Sequence, residues 1–143
     1  MNFSPTQMPV QMVAMGTRPA KAMSFGDAMQ TSFKMKYATF SGRASRSEFW
    51  WSYLGWLLIV IAAVVLDVVT GLGLFTVVAY LGGILPMLAV MVRRLHDTGR
   101  SGWMFLIGLI PLVGGILLLV WYVTDGQPMD NPYGAVPTNT MPL

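Results

Sequence analysis

Three long apolar runs without a charge dominate the chain, and none shows the polar face that a helix in a soluble core would carry. The first, Phe49 to Leu66, has 18 residues. As a helix it would be about 27 Å long, close to the thickness of the hydrocarbon layer. Asp67 follows at its far end, where headgroups or water can solvate it; at the bilayer centre an aspartate would cost about 2.5 to 3.5 kcal/mol. After the turn Thr70-Gly71-Leu72-Gly73, the second run holds 19 residues from Leu74 to Val92, with Pro86 as an expected kink. The third holds 21 residues from Trp103 to Val123, contains Pro111, and closes on Trp121 and Tyr122, rings suited to the headgroup layer. The pattern predicts an all-α integral membrane protein with three transmembrane helices, spanning about 49–69, 74–92 and 103–123.

The segments outside these runs read differently. Residues 1–23 lack any apolar period and are expected to form a disordered N-terminal extension, too broken by Gln11 to be a secretory signal. From Ser24 the spacing of Phe25, Ala28, Met29, Phe33 and Tyr37 predicts an amphipathic helix, capped by Ser24, with Asp27 at its positive end. With Asp27, Gln30, Thr31 and Lys34 opposite, it is expected along the membrane surface, Phe25, Met29 and Phe33 in the interface; the alternative is a helix packed on a partner or on the chain's own loops. This helix opens a membrane domain at 24–123. Residues 124–143, with four prolines and no apolar period, predict a polar tail. Ala79 and Gly83, four apart, could admit a second helix closely.

Composition sharpens the picture. At 55% hydrophobic and 10% charged residues, the chain is too apolar for an ordinary soluble domain. Without cysteine there are no disulfides and no thiolate sites, and one histidine makes a transition-metal site implausible, so no metal and no cofactor are expected. Six methionines between positions 8 and 35 are too irregularly spaced for a copper cluster and read as gap-fillers. With three crossings, all nine Lys and Arg residues fall on the side of the N-terminal region and the 93–102 loop. The positive-inside rule makes that side cytoplasmic, giving a cytoplasmic N-terminus and a C-terminus outside. The rival topology makes the second segment re-entrant at Gly82-Gly83 and Pro86.

Two motifs flank the spans: FSGRASRSEFWW at 40–51, where Ser45 or Ser47 can cap the next helix, and RRLHDTGRSGW at 93–103. They resemble the signatures of a family of small bacterial inner-membrane proteins known as domain of unknown function 805. SFGDAM at 24–29, Lys36-Tyr37, LIPLVGGILLL at 109–119 and the segment Asn131 to Pro137 extend the resemblance over about 24–137. Met104 and Pro132 depart from it, where the family often has tryptophan and arginine. The resemblance implies a helical protein of the bacterial inner membrane, brings no activity, and makes Met23 an alternative start to Met1.

On the expected topology the motifs meet on one side, gathering Arg43, Arg46, Glu48, Arg93, Arg94, His96, Asp97 and Arg100. The favoured reading is a structural or accessory protein in which the two carboxylates pair with arginines to fix how the spans pack, Thr98-Gly99 turns the chain and Ser101 caps the third helix. The alternative is a module holding an anionic lipid or a phosphate, because arginine's planar fork suits phosphate oxygens. An acid/base pair of His96 and Asp97 acting on a headgroup is a third reading, without a nucleophile pattern to accompany it. A small oligomeric transporter is a fourth, but no charge lies at mid-depth in the spans. Whether the chain is an enzyme stays open at this point, with a non-catalytic role favoured. The expected partners are the bilayer, anionic phospholipid and a second copy or another membrane protein, and not nucleic acid.

Overall fold

The computed structural model describes residues 22–139, so most of the expected N-terminal extension and the last four residues lie outside the described part. Ser24 caps α1 (Phe25–Gln30) by accepting from Asp27 N at 3.2 Å. The helix then widens into a π turn, Thr31–Met35, closed by Lys36 N on Thr31 O. Ser45 caps α2 (Arg46–Thr70), which stops where Gly71 takes the left-handed conformation. Asp67 then caps α3 (Phe75–Asp97) from across the turn, accepting from Phe75 N at 2.9 Å and Thr76 N at 2.8 Å. Both helices are long and apolar enough to cross a membrane. They pack side by side, and Gly83 leaves the space that the Trp56 indole fills: a Cβ there would lie 1.9 Å from Nε1. Of the small pair at 79 and 83, Gly83 thus serves this chain's own Trp56.

The α1 helix does not lie free along a surface. It packs on α2, with Ala28, Thr31 and Ser32 buried, Ser32 Oγ 2.7 Å from Ser52 Oγ, and Met29 seated over Gly55. The contact is with a span, where the expected alternative named a partner or the chain's own loops. Beyond it, Tyr37 donates to Gly82 O at 2.5 Å. Pro86 has no N–H with which to bond the carbonyl four residues back, so Gly82 O is the acceptor that this proline orphans. The second segment is therefore one continuous helix rather than re-entrant.

The third segment is not the single unbroken helix expected over 103–123. Residues Gly102–Leu109 form a 3-10 helix, which Ser101 caps by accepting from Trp103 N at 3.3 Å; the chain breaks at Ile110-Pro111-Leu112; and α4 (Val113–Val123) runs back. Leu112 stands at φ 63, a positive value rare for a residue with a side chain. Each arm is about 16 Å long at the rise of its helix type, roughly half of a 30 Å hydrocarbon layer. The arms touch through glycine: a Cβ on Gly114 would lie 1.8 Å from Ile107 O, and one on Gly108 2.9 Å from Leu118 Cδ1. The tail therefore emerges beside Arg46 and Arg94, at the same end of the bundle as the arginine motifs and not at the opposite one. Gly114→Ala is expected to force the hairpin open at a cost of about 1 to 3 kcal/mol. Gly115→Ala, with nothing within 4 Å of its Cβ, should melt like the parent. Thermal unfolding in detergent compares the two.

Candidate functional site: a buried arginine cluster

The packed core cluster lies at this end, around Ala44, Phe49, Met87, Val90, Leu95, Leu118 and Tyr122. The outer halves of α2 and α3 expose apolar side chains, as surfaces in contact with lipid do. Ala44 N donates to Arg93 O at 3.0 Å, which docks the loop carrying Arg43 on the end of α3. Arg43, Glu48, Arg93, Arg94 and Asp97 are thereby buried together. Three guanidinium groups against two carboxylates leave an excess positive charge away from water, which is tolerable only where backbone acceptors complete the shell.

Those acceptors come mainly from the returning chain. Arg43 pairs with Asp97 at 3.1 Å, and donates to Gln127 O at 2.6 Å, Met129 O at 2.8 Å and Gly134 O at 3.3 Å. Arg94 pairs with the other oxygen of Asp97, and donates to Tyr122 O at 3.1 Å and to Thr124 O. In return Gln127 N donates to Asp97 O, and Asn131 Nδ2 to His96 O at 2.8 Å. Residues 124–136 of the expected polar tail are thus a strap bound across the cluster. Arg93 pairs with Glu48 through Nη1, while its Nε and Nη2 are buried with no hydrogen-bond partner among the described residues.

Three of the expected residues stand apart from this core. Arg46 sits on the rim, pairing with Asp125 at 2.8 Å, both side chains more than half exposed. Arg100 turns over the Trp121 ring, 4.7 Å from its centroid. The His96 ring stacks on Tyr133 at 4.2 Å and faces Gly42 O through Nδ1. Asp97 points to the arginines, so the adjacent pair is no acid/base dyad. Residue counting had no means of finding the carbonyls of 127, 129 and 134; the match over Asn131 to Pro137 marked the strap without saying what it binds.

The sequence profile of the family described as protein of unknown function (DUF805) matches residues 37–135, from the tyrosine that closes on Gly82 to the last residue but one of the strap. The chain belongs to that family. The chain is also similar to two proteins of Escherichia coli (strain K12). Inner membrane protein YhaI is 39% identical over 103 residues, covering 71% of this chain and 87% of that protein. Inner membrane protein YhaH is 36% identical over 107 residues, covering 71% and 88%. No solved structure matches the chain. As a DUF805 protein it is a helical membrane protein, and the whole arginine cluster, with all of the strap but Val136, falls inside the matched region.

Proposed function

We propose that the protein is a non-catalytic, structural or accessory component of the bacterial inner membrane, crossing it twice and holding a half-depth hairpin. Its arginine cluster is a latch that fixes the strap 124–136 over the inner ends of the spans, so that the protein presents one rigid face to the cytoplasm. The observation that carries this reading is the direction of the arginine donors: Arg43 and Arg94 bind five carbonyls of residues 122–134 as well as Asp97. All nine basic residues lie before Ser47 or between 93 and 100, and the strap's side, with Asp125 and Asp130 but no Lys or Arg, shares their end. The positive-inside rule then puts both ends of the described chain in the cytoplasm. The inner-membrane names of the two relatives support the location. Arg43→Ala is expected to free the strap, so that a protease added to the cytoplasmic side trims the tail at least tenfold faster while α2 and α3 stay inserted. A tail trimmed at the parent's rate would overturn the latch.

A second reading, anionic-lipid or phosphate binding, is favoured by one observation. A polar cavity of about 350 Å³ between the π turn and residues 137–139 is lined by Lys36, Arg43, Glu48, Thr31 and Thr138. Since Arg43 is committed to the latch, Lys36 is the cation such a ligand would meet. Lys36→Gln is expected to lower the anionic phospholipid that co-purifies with the protein at least twofold, read by lipid mass spectrometry; unchanged lipid would remove this reading and leave the latch standing.

A further inference from the structure

A second cavity, of about 470 Å³, lies on the other side of the α3 end. Phe40, Val92, Trp103 and Phe105 wall it, His96 and Ser101 supply its polar atoms, and no Lys, Arg, Asp or Glu lines it. Trp103, at the start of the apolar hairpin, is 75% exposed, so the mouth adjoins the surface that faces lipid. The occupant that fits is uncharged and dissolved in the bilayer; a phosphate headgroup would find no cation here.

The hydrogen-bond chemistry narrows the class. Gly42 O, 3.1 Å from His96 Nδ1, can only accept, so Nδ1 carries the hydrogen and Nε2 of the neutral ring is an acceptor. One ring face is closed by Tyr133, stacked at 1° to it. The absent side chain of Gly102 leaves the Nε2 edge open, since a Cβ there would come within 3.2 Å of Nε2. No group among the described residues bonds Nε2. Ser101 Oγ accepts from Trp103 N, which leaves its own hydrogen to donate. The cavity thus offers one acceptor and one donor between flat aromatic walls. Flat walls favour a planar head over a glycerol head.

We propose that this cavity binds the head of a quinol, a planar dihydroxy ring on a lipid tail, with a ring hydroxyl donating to His96 Nε2. The oxidised quinone has carbonyls in place of both hydroxyls. It would keep the Ser101 bond but leave Nε2 unpaired, so the site prefers the reduced form. Because Tyr133 belongs to the strap, the site rests on the strap being held in place, which the protease test of Arg43→Ala checks separately.

The test uses the full chain in lipid nanodiscs, under anaerobic conditions, with a decyl-substituted benzoquinol as probe. Saturable binding is expected, with the decyl benzoquinone about tenfold weaker, as the loss of one buried hydrogen bond implies. His96→Phe should weaken the quinol at least tenfold, and His96→Gln, which restores an acceptor oxygen, should recover most of it. Dioleoylglycerol should not compete. Equal binding of the two oxidation states, full affinity in His96→Phe, competition by dioleoylglycerol, or no saturable binding would each overturn the proposal. Should His96→Phe fail to fold, the comparison of oxidation states on the unaltered protein decides alone.

Discussion

Asp97→Ala is expected to be the most damaging single substitution in the chain, lowering stability by about 3 to 5 kcal/mol. Asp97 is fully buried and each of its carboxylate oxygens meets a different guanidinium, from Arg43 and from Arg94. Its removal strands two cations in a core that also holds Arg93, and the carbonyls of the strap, carrying partial charge only, cannot replace a carboxylate. Size-exclusion chromatography after a heat step would show little surviving monodisperse protein, against a nearly intact parent. Asp97→Asn, which keeps the volume and one acceptor oxygen, should lose less. Joining Arg94→Met to Asp97→Ala should restore part of the loss, because one of the stranded charges has gone. A double variant no better than Asp97→Ala would mean that the damage comes from packing and not from unpaired charge.

The second large effect is all-or-none. The chain has no cysteine, so a single one can be placed at will. A membrane-impermeant maleimide added to the periplasmic side of spheroplasts should label Leu72→Cys, in the turn between α2 and α3, and leave Thr138→Cys untouched. In inverted vesicles the pattern should reverse. Labelling of Thr138→Cys from the periplasmic side would mean that 102–123 crosses the membrane after all, and that the strap is not bound where Arg43 and Arg94 hold it. The physical reason to expect the cytoplasmic position is length as much as bonding. Two arms of about 16 Å each, joined at a positive-φ residue, cannot cover 30 Å in one direction while their ends meet the same helix terminus.

The sequence located the apolar segments, both motifs, and the caps at Ser24 and Ser101, and narrowed a third to Ser45 or Ser47, because each depends on a few neighbouring residues. It also placed Arg43, Glu48, Arg93, Arg94 and Asp97 together, since both motifs flank the same helix ends. It read the third segment as one unbroken helix for a definite reason. Hydropathy records how apolar a stretch is and not whether it doubles back, and Pro111 is as compatible with a kinked span as with a hairpin tip. Charge counting could not correct this, because residues 101–143 contain no lysine or arginine. Turning that segment through the membrane or back from it leaves all nine basic residues on one side in either case.

What the chain determines by itself is therefore where apolar surface must meet lipid and which charges must stay at one membrane face, since both follow from the free energy of transferring each residue. Only the tertiary structure decided what those charges hold. The partners of Arg43 and Arg94 are mostly carbonyl oxygens some 30 to 90 residues away, which every residue possesses and no side chain announces. They become acceptors for these arginines only because Gly114 lets α4 close against Ile107 and so delivers the strap to the end of α3.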